Sequence, residues 1–227
     1  MIQVILFDLD ETLYPAEAGI MDQIRELILR YLRGYLNLSL DESESLRQHY
    51  IQTYGTTMRG LQINYQIDAE EYLRFVHNIP LQQYLRPNAE LDAVLASISL
   101  PKIVFTNASR EHAERVLDQL GIRRRFSRIV DIRDVAYENK PEPGAYQRLC
   151  QLLQIRPEEC LIVEDSIRNL IPAKKLGMIT VLVGKQETDP DHSVDFCISR
   201  IEEIGQVVQQ LCPQAYPAGP GQGQTEN

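Results

Sequence analysis

The sequence predicts an α/β fold, a parallel sheet with helices on both faces and an all-helical block inserted after the first strand. Three observations lead to it. Short runs rich in β-branched residues, at Val4 to Phe7, Ile103 to Phe105, Ile129-Val130, Leu161 to Val163 and Thr180 to Val183, alternate with stretches of helical period. These runs are apolar almost throughout, as strands covered on both faces are. Between residues 15 and 85, by contrast, the apolar positions keep helical spacing and no strand pattern occurs.

The elements follow in order. After Val4 to Phe7, Tyr14-Pro15 and Gly19 make a turn, and Ile20, Ile24, Leu27, Ile28, Tyr31, Leu32 and Tyr35 recur at helical spacing. Asp41 and Glu44 have the spacing of a capping box opening a second helix through Leu46 and Tyr50. Tyr54 to Gly60 reads as a glycine-bounded turn, and Asp68 opens another helix through Tyr72, Leu73 and Val76. Beyond Pro87 come a helix through Leu91 and Leu95, the strand ending at Phe105, and a helix from Ala113 to Leu120 stopped by Gly121.

The strand at Ile129-Val130 precedes a helix through Ala145 and Leu153, then the strand Leu161 to Val163. The next helix starts near Asn169, because a proline at 172 cannot sit deep inside one. Strand Thr180 to Val183, a weak strand Phe196 to Ile198 and a helix from Ile201 to Leu211 close the pattern. Strands alternating with helices imply right-handed crossovers and a parallel sheet. The expected organisation is an α/β core of residues 1–14 and 86–212, a helical cap at 15–85, and a disordered Pro-, Gly- and Gln-rich tail at 213–227.

The 227 residues suffice for one large domain or a core with an insertion. A formal net charge of −9 argues against nucleic acid polymers or an anionic membrane as partners, since both need basic patches. The one basic cluster, Arg123-Arg124-Arg125, follows a predicted helix and reads as a solvated helix end. Cys150, Cys160, Cys197 and Cys212 form no C-x-x-C pair and read as reduced core residues. Met1 runs straight into the first strand with no signal pattern and no long apolar stretch, so a soluble cytoplasmic protein is expected.

The polar residues that follow the strands suggest chemistry, because open α/β sheets bind ligands outside the carboxyl ends of their strands. Asp8 and Asp10 follow Phe7, and in extended chain residues two apart project to the same side. At about 4 Å two carboxylates repel by roughly 4 kcal/mol at an effective dielectric of 20, so one stays protonated or a cation sits between them. Thr106-Asn107 and the helix start capped by Ser109 offer a hydroxyl, an amide and free N–H groups to an anion, although an ordinary capped turn has the same residues. Lys140 is held extended by Pro141, ahead of a helix whose start Pro143 fixes. Glu164 and Asp165 repeat the strand-end acids of Asp8.

Taken together, Asp8-Leu9-Asp10-Glu11-Thr12, Thr106-Asn107, Lys140-Pro141-Glu142-Pro143 and Glu164-Asp165 resemble, in order, the four motifs of the haloacid dehalogenase (HAD) superfamily. The resemblance spans roughly residues 4 to 184 and implies a Rossmann-like parallel sheet with a helical cap. It further implies an Mg²⁺-dependent phosphomonoester hydrolase. Asp8 would be the nucleophile that forms an aspartyl phosphate, and Asp10 the general acid and base. Thr106, Asn107 and Lys140 would hold the phosphoryl oxygens. The metal would sit on Asp8, the Asp10 carbonyl and Asp165, with Glu164 behind them. Asn169 stands where the family often has Asp, and a neutral amide there could orient a bound water. The dehalogenase branch lacks the second acid and the metal, so Asp10 and Asp165 point to a phosphatase or mutase.

Two stretches, DLDETLYP at Asp8 to Pro15 and YGTTMRGL at Tyr54 to Leu61, are similar to the pyrimidine 5′-nucleotidase branch. They imply a small phosphorylated metabolite of the nucleoside 5′-monophosphate class, with Thr56, Thr57 and Arg59 as specificity residues. Sugar phosphates, phosphoglycolate and pyridoxal phosphate are the alternatives. A non-catalytic binding module would be marked by loss of Asp8, Asp10 or Lys140, and all three are present.

Overall fold

A computed structural model of the chain describes residues 1–184, 189 and 192–216. Six strands, β1 (Val4–Phe7), β2 (Lys102–Phe105), β3 (Arg128–Val130), β4 (Cys160–Glu164), β5 (Ile179–Val183) and β6 (Phe196–Ile198), form one sheet in the order β3-β2-β1-β4-β5-β6. Every neighbouring pair is parallel. The sheet is parallel, as the alternating pattern predicts, and is the Rossmann-like core that the family resemblance implies.

Alternation along β1 divides the core. Ile5 and Phe7 join a cluster on one face with Val104, Leu161 and Val163, covered by α5 (Ala89–Ser97), α6 (Arg110–Leu120) and α9 (Ile204–Leu211). Val4 and Leu6 join the other face with Phe105, Ile162 and Leu182, covered by α7 (Pro143–Leu153) and α8 (Ile167–Lys175).

Between β1 and α5 the chain forms α1 (Ile20–Leu36), α2 (Leu40–Tyr54), α3 (Thr57–Tyr65) and α4 (Ala69–Val76) and no strand. These cap helices pack on one another through Tyr31, Tyr50, Leu61 and Tyr72, and their cluster continues into the second face of the sheet. Glu70 of α4 is held from the sheet side by both ends of the Arg133 guanidinium, at 2.8 and 2.6 Å, and by the Tyr137 hydroxyl at 2.6 Å. No helix among the described residues is long and apolar enough to cross a membrane.

Several local expectations are corrected. The capping box of α2 is Ser39 with Glu42, not Asp41 with Glu44, and Glu44 instead pairs with Arg25 and Arg47. The turn expected from Tyr54 to Gly60 is confined to Gly55 and Thr56, because the Thr56 hydroxyl accepts from the Arg59 N–H and starts α3 one residue later. Helix α8 begins at Ile167 and carries Pro172 in its interior, where it forgoes one backbone hydrogen bond in a buried position near the helix end. The basic cluster is not simply solvated, since Arg124 and Arg125 both pair with Asp92 of α5. Of the four cysteines, Cys197 is exposed. Within the expected tail, Pro213–Ala215 form a 3-10 turn with Ala215 buried, and residues 217–227 lie outside the described ones.

Candidate active site

Strand β1 sits where the strand order reverses, with β2 on one side and β4 on the other. That reversal opens a crevice at the carboxyl ends of these strands. The register places Phe7 opposite both Val104 and Val163, so the next residues along, Asp8, Phe105 and Glu164, come together. Lys140, from the loop between β3 and α7, reaches into this point. Its Nζ donates to Asp8 Oδ1 at 2.6 Å, to Glu164 Oε1 at 2.6 Å and to the Phe105 carbonyl at 2.9 Å.

All three charged groups are buried. Desolvating them costs several kcal/mol per ion, about what close pairing and complete hydrogen bonding return. Burial works against the Lys140 ammonium, but Asp8 and Glu164 outweigh it and hold the proton more tightly than usual. Burial lifts the Asp8 carboxyl to about 7, with Lys140 opposing the rise and Glu164 adding to it. Asp165 is lifted to about 6 by burial and by the neighbouring Asp8 charge.

Asp8, Glu164 and Asp165 each bring a carboxylate oxygen within 4.8 Å of the other two. Glu164 is already engaged, because Asn169 Nδ2 donates to its Oε1 at 2.9 Å and Lys140 shares the same oxygen. Asn169 therefore orients Glu164 through a direct bond. Thr12 Oγ1 donates to Asp165 Oδ1 at 3.2 Å, and Asp8 Oδ2 has no protein donor among the described residues. Two carboxyls raised by burial and by neighbouring acids, with oxygen-only donors, fit a hard divalent cation such as Mg²⁺.

Asp10 points elsewhere. The turn after β1 puts Glu11 at φ 61, the left-handed region, and brings Tyr14 back over Asp10. The Tyr14 hydroxyl donates to Asp10 Oδ1 at 2.6 Å, and His112 Nε2, from the first turn of α6, meets the same oxygen at 2.9 Å. Burial would raise the Asp10 carboxyl, but His112 and Tyr14 outweigh it and hold it below the usual carboxylate range. His77, from the end of α4, stacks on His112 with ring centroids 4.4 Å apart and contacts Ser109 Oγ at 3.1 Å. Its ring is kept neutral by burial and by His112. Tyr14 and His112 escape a motif reading, although Tyr14 lies one helical turn beyond Asp10 in sequence and His112 three residues beyond the Ser109 cap.

The anion-site residues divide their work. Thr106 Oγ1 is buried and accepts from the Ala108 N–H at 3.0 Å. Asn107 spends its amide on the lysine loop: Nδ2 donates to the Lys140 carbonyl at 3.0 Å and Oδ1 accepts from the Lys140 N–H at 2.8 Å. Its side chain therefore braces Lys140. The N–H groups of Leu9, Asp10 and Asn107 have no acceptor among the described residues, so they remain for an anion.

The cap residues lie one contact further out. Thr56 Oγ1 donates to Asn139 Oδ1 at 3.4 Å, while Asn139 Nδ2 donates to the Tyr54 and Lys140 carbonyls at 3.0 and 2.9 Å. Gly55 is required here, since its φ is +84° and a Cβ would lie 2.3 Å from Asn139 Nδ2. Thr57 is buried and Arg59 is half-buried, and no hydrogen bond among the described residues joins either one to the three acids.

Comparisons with known proteins bear on the fold and the family. Over 129 residues the chain is 33% identical to phosphate metabolism protein 8 of Saccharomyces cerevisiae, covering 53% of this chain but only 40% of that protein. Over 233 residues it is 27% identical to a glyceraldehyde 3-phosphate phosphatase of Methanopyrus kandleri, covering 93% of this chain and 99% of the other. A HAD phosphatase structure from Thermococcus onnurineus superposes with a TM-score of 0.62 over 91% of this chain and 98% of that one; at 19% identity this is a likeness of fold. The haloacid dehalogenase-like hydrolase family model matches residues 2–177, and the chain belongs to that family.

Proposed function

We propose that the protein is an Mg²⁺-dependent phosphomonoester hydrolase that works through an aspartyl phosphate. The observation that carries this reading is the buried meeting of Asp8, Lys140 and Glu164 at 2.6 Å, beside Asp165 and the free N–H groups of Leu9, Asp10 and Asn107. Such a site binds a tetrahedral dianion and sets a carboxylate against it. The names of its relatives, which include glyceraldehyde 3-phosphate and phosphoglycolate phosphatases, support the same class.

In this reading Lys140 orients Asp8 through Oδ1 and leaves Oδ2 to attack phosphorus. The Asp8–phosphorus bond forms as the ester oxygen–phosphorus bond breaks, and Asp10 gives its proton to the departing oxygen. Asp10 is ionised in the ligand-free site, and the negative charge of an incoming phosphate raises its affinity for that proton. Asp10 then removes a proton from the water that attacks phosphorus, releasing inorganic phosphate and restoring Asp8. Thr106 and the free N–H groups hold the nonbridging oxygens, and Lys140, whose three N–H donors are engaged by Asp8, Glu164 and the Phe105 carbonyl, acts on them through its charge alone. Asp8, the Asp10 carbonyl and Asp165 would hold the Mg²⁺, which would supply neutralising charge to the phosphoryl group.

The substrate in this reading is a small phosphorylated metabolite, with nucleoside 5′-monophosphates first. The support is that the Tyr54 to Leu61 stretch abuts the Lys140 loop through Asn139. The division into a core of 1–14 and 86–212 and a cap of 15–85 belongs to the same reading, the cap selecting the ester. Phosphate release with Mg²⁺ should be measured for UMP, CMP, AMP, phosphoglycolate, glyceraldehyde 3-phosphate and pyridoxal phosphate. Release that is abolished by EDTA and by Asp8→Asn is expected, greatest with the nucleotides. Preference for another ester would retain the phosphatase and discard the nucleotide, and full activity in Asp8→Asn would remove the covalent mechanism.

A further inference from the structure

Asp10 is held from two independent elements on a single oxygen. Tyr14 arrives from the turn after β1 and His112 from α6, yet both meet Oδ1, at 2.6 and 2.9 Å. Among the described residues Oδ2 has no partner. The terminal torsion of an aspartate is broad and roughly two-fold, so an unheld carboxyl presents either oxygen over a range of angles. Two donors converging on one oxygen fix the carboxyl plane and remove that freedom.

The His112 ring is fully buried, and its Nδ1 has no hydrogen-bond partner among the described residues. Against a carboxylate oxygen the ring nitrogen Nε2 is the donor, and Nδ1 is left as an unmatched polar atom whether or not it carries a proton. A buried unmatched polar group costs about 1–3 kcal/mol. An apolar side chain at 112 would fill the space without that cost, so packing alone does not account for the histidine. His77 supports the ring by stacking on it, 18° from parallel, and is itself tied to Ser109.

We infer that Tyr14 and His112 are positioning residues that hold Asp10 by Oδ1 so that Oδ2 alone exchanges the proton with the leaving oxygen and with water. The inference rests on the phosphatase reading above, in which Asp10 is the acid and base. With Oδ1 accepting two hydrogen bonds, a proton taken up by the carboxyl resides on Oδ2, the oxygen without a protein donor. Positioned proton transfer contributes typically about 10²–10⁴-fold. It matters most for a poor leaving group and least for one that departs as a stable anion.

The test compares an alkyl phosphate that the wild type hydrolyses with p-nitrophenyl phosphate, whose phenolate leaves without a proton. The Mg²⁺-loaded wild type, Tyr14→Phe, His112→Leu and His112→Gln are assayed for kcat/KM, which reports the first phosphoryl transfer. In Tyr14→Phe and His112→Leu the alkyl ester should lose roughly 30-fold or more, and the aryl ester at least roughly tenfold less than that. His112→Gln, whose amide can donate in place of Nε2, should recover most of the alkyl rate. Equal losses on both esters, or none, would overturn the inference, because a general loss of structure moves both alike. Should His112→Leu not fold by circular dichroism, Tyr14→Phe, which keeps the ring packing, decides alone. A wild type inactive on every ester would refute the phosphatase reading before any variant is compared, and this inference with it.

Discussion

Lys140 and Glu164 are both buried and meet at 2.6 Å, so the lysine charge is matched inside the protein as well as by the candidate nucleophile. Two carboxyl groups share one ammonium, so with both ionised the cluster of three carries one net negative charge. Removing the cation leaves two buried carboxylates against each other, whereas removing Glu164 leaves a matched Lys140–Asp8 pair. Lys140→Met should therefore destabilise the fold by about 3–5 kcal/mol, and Glu164→Gln by distinctly less. Urea unfolding of both variants checks the order, and the reverse order would contradict this account of the cluster.

The raised Asp8 carboxyl makes a pH prediction for metal-free protein. Its affinity for a proton is higher folded, at about 7, than the ordinary 3.8 of an unfolded aspartate. Between these values the folded state binds more protons, so this contribution weakens as pH rises from about 4 to about 7. Asp8→Asn lacks it. In EDTA, the stability of Asp8→Asn relative to wild type should increase across that window, as read from urea unfolding at several pH values. A constant difference would show that Asp8 is not raised.

Two glycines in helices should respond oppositely to alanine. Gly34 in α1 has open space around the position of a Cβ, so Gly34→Ala should stabilise by about 0.5–1 kcal/mol through helix propensity. A Cβ on Gly60 in α3 would lie 2.3 to 2.7 Å from the Tyr50 ring, so Gly60→Ala should cost about 1–3 kcal/mol by overpacking. Thermal unfolding of the two variants gives shifts of opposite sign.

The Glu70–Arg133 pair joins α4 to the loop after β3 with a bidentate geometry, but both side chains are partly exposed. Its worth is accordingly small, about 1 kcal/mol, and salt-dependent. Glu70→Gln should lower the midpoint of thermal unfolding in low salt, with the difference shrinking in roughly 1 M NaCl. An effect independent of salt would assign the loss to the Tyr137 hydrogen bond instead.

The strand-end acids were legible because each follows an apolar run, and an apolar run can be read from one segment at a time. Lys140 was legible through its flanking prolines. The convergence of Tyr14 and His112 on Asp10 was not, because it depends on where α6 docks against the turn after β1. Nor was the hold of Asn107 on the Lys140 backbone, which joins residues 33 apart. Asn107 looks like an anion ligand in its own segment and becomes a brace only in three dimensions. At the start of α2, Ser39 with Glu42 and Asp41 with Glu44 fit the same pattern. The choice between them falls to Asn37, which ends α1 in the left-handed region at φ 55 and leaves Ser39 as the first extended residue able to cap.

The central place of β1 also sets the order in which the chain can be completed. Leu6 is paired with Ile103 on one side and Ile162 on the other, so the strand carrying the candidate nucleophile has no sheet partner within its first hundred residues. At a synthesis rate of about 5–20 residues per second, β1 stays unpaired for several seconds after it emerges. Its four apolar residues spend that time with two open strand edges. Closing such distant pairs is slow, since loop-closure entropy is lost before the contacts form. The helices between β1 and β2 are the neighbours that form meanwhile, and their shared cluster with Val4 and Leu6 gives the waiting strand somewhere to bury one face. The inserted helical block would then shelter the nascent chain.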